Sequence, residues 1–262
     1  MCGRFILAQR IEKLTKRFNV TLPNDVAYTP LFNIAPGDKT LVVTSNDNSV
    51  FQSFTFGLTP FWASKRMYLF NARAEGDRNK QNEVGYRGSL GIINKPAFRK
   101  AIRSQRCLVP ADAFIEGSDK NGLSDPYLVY LRDKVRPFSF AGIWDRWTNA
   151  EVGEEIYSFS IITTVANSLL QKIPHHRSPV ILQQWQESKW LNLNTPLSEI
   201  TAMLQPYSSE LMNAYPIAPE IKNARLKNRS LINPVGNPLM PEDNASIALR
   251  ITKTGFGRRK IM

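Results

Sequence analysis

Between Cys107 and Thr164 the sequence runs through one strand-length segment after another, and this stretch constrains the fold more than any other feature. Residues 107–109, 113–116, 127–131, 138–143 and 156–164 are apolar runs of strand length, rich in β-branched and aromatic side chains. In the last of them Tyr157, Phe159 and Ile161 alternate with Ser158, Ser160 and Ile162, the period of a half-buried strand. A hairpin precedes the series: 40–44 and 50–56 flank the polar turn Ser45-Asn46-Asp47-Asn48. Helical spacing is confined to short segments. Ile11, Leu14 and Phe18 mark a helix over 9–18, and Phe98 and Ile102 one over 96–104. Others fall at 167–171, around Trp185, Trp190 and Leu191, and at 198–204. Residues 32–37 read as a loop ending in turn chemistry, and 57–62 as an apolar loop or strand end carrying Phe61 and Trp62. With no internal repeat or linker, the expected fold is α+β: a single mixed domain over 1–240, with a largely antiparallel β core and peripheral helices. The glycine-containing basic segment 241–262 is expected to be a loosely ordered tail.

Charge narrows the partners. The chain has 34 basic and 22 acidic residues, a net charge of +12. Such an excess attracts polyanions, nucleic acid being the commonest. No apolar run is long enough to span a membrane, and the start lacks a continuous hydrophobic segment of the secretory kind. Two cysteines cannot build a disulfide framework, so a cytoplasmic protein without membrane association is expected, nucleoid-associated when bound to DNA. The chain has no phosphate-binding glycine loop with lysine, no Cys-x-x-Cys and no His-Glu-x-x-His. Its two histidines, His175 and His176, are adjacent, and neighbours on a strand point to opposite faces. Neither a metal site nor a cofactor is expected.

The start, Met1-Cys2-Gly3-Arg4-Phe5, carries the sharpest chemistry. Removal of Met1 leaves a terminal cysteine whose α-amine and β-thiol are two carbons apart. An aldehyde condenses with the amine, and the thiol closes on the same carbon to give a thiazolidine. Reference pKa values of about 7.7–8.0 for the amine and about 8.5 for the thiol leave both partly reactive near neutrality. Without that chemistry, Cys2 is merely a small residue after the start. Glu116 ends the apolar run Ala113-Phe114-Ile115, where a carboxyl is either buried with a raised pKa or exposed at a strand end. His175 and His176 titrate near neutral pH or form a polar turn. Asn71, ahead of Ala72-Arg73-Ala74-Glu75, reads equally as a helix cap. Cys107 reads as a buried core thiol.

In this order and spacing the segments resemble one family. The match runs from Cys2-Gly3-Arg4-Phe5 through Asn33-Ile34-Ala35-Pro36, Gly57-Leu58-Thr59-Pro60, Asn71-Ala72-Arg73-Ala74-Glu75 and Arg106-Cys107-Leu108-Val109-Pro110 to Glu116. It ends with Ala141-Gly142-Ile143-Trp144 and His175-His176-Arg177-Ser178-Pro179-Val180-Ile181-Leu182. The pattern is similar to that of SRAP proteins, the SOS-response-associated peptidases or abasic-site-processing proteins, over about residues 2–225. The resemblance departs at Gly117, Ser178 and Phe56, where tryptophan, methionine and tryptophan are usual.

The resemblance implies covalent capture of abasic sites in single-stranded DNA, shielding them during a damage response, through a thiazolidine formed by Cys2. It implies that Asn71 holds the amine, Glu116 serves as acid and base in opening the deoxyribose ring, and His175 stabilises the sugar oxygen. Gly3, Arg4, Arg73 and Arg177 would lie on the DNA, the arginines on phosphates. Pro36, Phe61 and Trp62 would stack against bases beside the lesion. The expected partner is single-stranded DNA bearing abasic sites, engaged by a monomer, with any replication-fork partner unspecified. A secondary lyase activity is compatible. The alternatives are a peptidase built on Cys2, whose minimal form removes Met1, and a passive module that binds single-stranded nucleic acid.

Overall fold

The computed structural model describes residues 2–132 and 136–241. Met1 and nearly all of the 241–262 tail lie outside the described residues. In chain order the elements are β1 (Arg4–Leu7), α1 (Ile11–Phe18), β2 (Leu31–Ile34), β3 (Lys39–Thr44), β4 (Gln52–Phe56) and β5 (Asn71–Arg73). Next come α2 (Ala101–Ser104), β6 (Arg106–Ala111), β7 (Ala113–Ser118), β8 (Gly122–Leu131), β9 (Phe138–Thr148) and β10 (Glu155–Val165). The chain continues through α3 (Ser168–Lys172), β11 (Arg177–Pro179), β12 (Ile181–Leu182), α4 (Gln184–Leu191), α5 (Leu197–Ala202) and β13 (Met212–Pro216).

These strands make two packed layers. The first is a five-stranded sheet in the order β13-β8-β7-β1-β2. The second closes on itself: β10 pairs with β4, β4 with β3, β3 with β6, β6 with β9, and β9 again with β10. That closure removes the exposed edges an open sheet would carry. Strands β5, β11 and β12 are appended to the barrel, on β10, β10 and β9 respectively. Among the named strands pairing is antiparallel except where β4 and β5 lie parallel to β10. The α+β fold with a largely antiparallel core is therefore the observed one.

Alternation along the strands explains the layering. On β1, Phe5 and Leu7 face the barrel-side core while Ile6 joins a second cluster with Ile115, Leu128, Tyr130 and Tyr215. Phe5 meets Phe56 edge-on at 5.4 Å and Phe140 at 5.9 Å, and Phe114 meets Phe140 at 5.9 Å. Phe56 in turn stacks on Phe159 at 5.2 Å. One aromatic cluster thus bolts β1 and β7 to the barrel, each ring pair adding about 0.5–1.5 kcal/mol beyond the apolar area it buries. It also accounts for Phe56, a departure from the family pattern, as a fully buried core ring.

Several expectations need correction. Residues 32–37 are not all loop, because β2 covers Leu31–Ile34 and only the Ala35–Gly37 turn follows. Asn71 begins a strand rather than capping a helix. The helix expected over 96–104 is regular only from Ala101, since Pro96 opens a run of turns. Strands β1 and β13 carry no apolar run long enough to read from pattern alone. The buried reading of Cys107 holds, at 0% exposure.

Candidate active site

The pairing of β1 with β7 brings the chain start beside Glu116. Arg4 lies opposite Ile115 and Phe5 opposite Phe114, so the residues preceding Arg4 run alongside the end of β7. Cys2 is fully buried there. The β5 strand reaches the same place from the barrel: Asn71, paired with Ile161, donates from Nδ2 to the Cys2 carbonyl oxygen at 2.9 Å. Its Oδ1 is buried with no protein partner. The loop between α3 and β11 supplies His175, held where its backbone N–H donates to the Leu170 carbonyl at 3.1 Å. Its Nε2 stands 3.3 Å from Glu116 Oε2. The candidate residues Cys2, Asn71, Glu116 and His175, dispersed in sequence, are thus brought together.

Burial sets their protonation. It raises the Glu116 carboxyl to about 7 and lowers the His175 imidazole to about 4. Near neutral pH the imidazole is therefore uncharged, and its 3.3 Å approach to Glu116 is a close polar contact rather than an ion pair. Burial also pushes the Cys2 thiol well above its ordinary value, with the nearby Glu116 charge adding to the effect. A carboxyl divided between acid and base forms at pH 7 can both give and take a proton. Beside it opens a cavity of about 250 Å³ lined by Gly3, Arg4, Glu116, Asp119, His175 and His176.

The expected DNA contacts fall into three groups. Arg4 lines the cavity, its guanidinium donating to the carbonyls of Gly3 and Lys222. Arg177 is almost fully buried and pairs with Glu75 at 2.8 Å, leaving Nε and Nη1 without protein acceptors. Arg73 leaves its Nε likewise unmet, while its Nη2 donates to the Asn79 carbonyl and to Asn82 Oδ1. Phe61 and Trp62 are 53% and 51% exposed, unusual for such large rings. Lys100 sits 4.4 Å above the Phe61 ring. Pro36 lies half-buried in the turn after β2.

Sequence reasoning assigned no role to Glu75 or Asp119. Glu75 lies within a matched motif, and its lone carboxylate beside Arg73 was the available signal. Removing it strands a buried guanidinium, so Glu75→Ala should lower stability by about 3–5 kcal/mol, measured as a fall in the urea midpoint. Asp119 sits in the β7–β8 turn, 3.0 Å from His175 Nδ1 and also against His176 Nδ1. The argument that adjacent histidines point apart fails here because both precede β11 in a loop. Their rings lie 5.3 Å apart, tilted by 30°.

Gly117 now has a structural reason. A β-carbon built there would lie 1.7 Å from the Gly122 carbonyl oxygen, across the narrow end of the β7–β8 hairpin where the register shifts. The tryptophan usual in the family has no room beside this hairpin. Gly117→Ala should destabilise the protein by about 1–3 kcal/mol or more, because the clash is with backbone. Urea unfolding monitored by tryptophan fluorescence would show it.

Fold and site together define a class: an α+β protein whose chain start is built into the sheet that carries a buried carboxyl raised to about 7. Comparison with known proteins makes the assignment specific. The SOS response associated peptidase (SRAP) family profile matches residues 1–224, and the chain belongs to that family. It is 33% identical over 242 residues to the abasic site processing protein YoqW of Bacillus subtilis, covering 88% of this chain and 99% of that one. The abasic site processing protein YoaM of the same organism is 30% identical over 241 residues, covering 89% and 98%. A crystal structure of a protein from Bacteroides thetaiotaomicron superposes with a TM-score of 0.75 at 30% identity, covering 90% of this chain and all of that one. Among the described residues no helix is long and apolar enough to cross a membrane.

Proposed function

We infer that this protein captures abasic sites in single-stranded DNA through a covalent thiazolidine at Cys2. The observation that carries the reading is the buried Glu116–His175 pair, 3.3 Å apart, placed against a cysteine that becomes N-terminal on loss of Met1. The names of the relatives, abasic site processing proteins, support the same substrate.

The chemistry balances with these residues and water. A closed abasic sugar is a hemiacetal; protonated Glu116 donates to the ring oxygen as the C1–O bond breaks, and the C1 hydroxyl releases its proton to water, which returns it to that oxygen when the amine adds. The Cys2 amine adds to the aldehyde carbon, losing one proton to the Glu116 carboxylate. Water leaves from the carbinolamine to give an imine. The thiol sulfur then bonds to that carbon while its proton passes to nitrogen, closing the ring. Aldehyde, amine and thiol give thiazolidine and one water. The raised thiol pKa favours this amine-first order, because little thiolate exists near neutral pH. For the same reason it weighs against Cys2 as the nucleophile of a general peptidase. Arg4, which lines the cavity, and the partly buried Arg73 are the arginines placed to meet phosphates, whereas Arg177 is buried against Glu75 and would act from behind the surface; Phe61 and Trp62 offer faces for bases.

The test is a denaturing gel of protein whose mass shows that it begins at Cys2, mixed with single-stranded DNA carrying one abasic site. A slower band that survives denaturant supports the reading. Its absence sinks the reading and leaves passive binding. β-Elimination from the same imine would appear as cleaved DNA, and self-removal of Met1 as a mass change during expression that an active-site variant prevents.

A further inference from the structure

We propose that Asp119, His175 and His176 form a binding site for one divalent transition-metal ion of the zinc class, and that the bound ion closes the cavity beside Glu116. The donors come from two segments, the β7–β8 turn and the loop ahead of β11. One ligand atom from each residue lies within 4.8 Å of the other two. His175 Nδ1 is 3.0 Å from Asp119 Oδ1, and His176 Nδ1 contacts Asp119 Oδ2. Zinc bonds to nitrogen and oxygen are about 2.0–2.2 Å, which places tetrahedral donors about 3.3–3.6 Å apart. The His175–Asp119 separation is already near this span, and a pair at the 4.8 Å limit would close by about 1 Å through side-chain rotation. Two imidazoles with one carboxylate suit zinc and its transition-metal neighbours, whereas magnesium and calcium favour all-oxygen sites.

Two further features favour a built site. The backbone already clamps the segments together, because the Asp119 N–H donates to the Pro174 carbonyl at 3.0 Å. On the other side of the His175 ring, Nε2 faces Glu116 Oε2 at 3.3 Å. A ligating imidazole commonly gives its second N–H to a carboxylate, which fixes the tautomer and ring orientation. With Nδ1 on the ion, the His175 proton resides on Nε2 and points at Glu116. Solvent has a way in, since the Asp119 and His176 side chains are 40% and 37% exposed.

The consequence is steric. All three ligands line the same cavity of about 250 Å³ as Gly3, Arg4 and Glu116. An ion there, with the water completing its coordination, fills space that an incoming sugar needs, and it pins the imidazole. Capture of abasic DNA should then slow in the presence of the metal and recover on chelation. This second half rests on the function proposed above; metal binding itself does not.

The experiment uses full-length, untagged protein with zinc in calorimetry and cobalt(II) as a visible-absorption probe. Wild type should bind one ion per chain, and His176→Gln should weaken binding by about tenfold or more. Cys2→Ala separates this site from chelation by a terminal amine and thiol, and should bind as wild type does. In parallel, zinc should slow adduct formation by wild type relative to its own metal-free rate, and should leave His176→Gln at its own metal-free rate. No binding to wild type, or binding lost in Cys2→Ala and kept in His176→Gln, would overturn the site. Binding at the site with no slowing of an otherwise active protein would overturn the block. Metal binding with no adduct under any condition would leave the site standing and reject the catalytic reading instead.

Discussion

Cys2→Ala is expected to abolish the denaturant-resistant complex with abasic single-stranded DNA while leaving salt-dependent binding nearly intact. The adduct needs both nucleophiles of one residue, so loss of the sulfur removes the ring-closing bond completely. Binding has a different origin, in the +12 net charge and the exposed rings of Phe61 and Trp62. Fluorescence anisotropy over a salt series would read it, and the slope of log affinity against log salt should not change. Cys2→Ser keeps the amine and should form the imine without the thiazolidine. Borohydride reduction would trap it, whereas denaturation without reductant would release it. A passive binding module would treat all three proteins alike.

Glu116→Gln should slow adduct formation by about 10²–10⁴-fold, the usual worth of a positioned acid–base group. Its pH dependence should also change. In wild type, with transition metals removed, the rate should inflect near pH 7, where burial sets the carboxyl; in the variant that inflection should vanish. Stability gives an independent reading. A carboxyl raised from 4.5 to about 7 holds its proton more tightly in the folded state than in the unfolded chain. Its contribution therefore favours folding at low pH and is lost as pH rises from about 4.5 through about 7, by roughly 3 kcal/mol in all. Urea midpoints across that window should fall more steeply with pH for wild type than for Glu116→Gln. Equal slopes would show that the carboxyl is not held near 7 and would remove it as a proton donor at neutrality.

The strand-rich middle of the fold was legible because its signal is local. Tyr157, Phe159 and Ile161 alternate with smaller or oppositely directed side chains, and β10 follows. The closure of the barrel was not legible, since it depends on β4 lying parallel to β10, a pairing between distant segments. Strand β1 was equally hidden, with four residues of which one is arginine. The candidate site was legible where residue type limits the options: a cysteine next to the start, and a glutamate after an apolar run. Which reading of Glu116 holds was decided only by packing, as β1 and β7 bury it. Asp119 gave no signal, because a turn aspartate is ordinary until the loop ahead of β11 folds over it. The misjudged histidine pair shows why: strand alternation was applied to residues that lie just outside a strand.

The fixed register between β1 and β7 acts as a ruler for the chain start. Arg4 opposite Ile115 sets how far Cys2 extends toward Glu116, at about 3.3 Å per residue. One residue inserted between Cys2 and Phe5 would carry the cysteine past the carboxyl and turn its side chain to the opposite face. Length is thus constrained here as well as composition, and reach is metered by counting residues from a bolted phenylalanine.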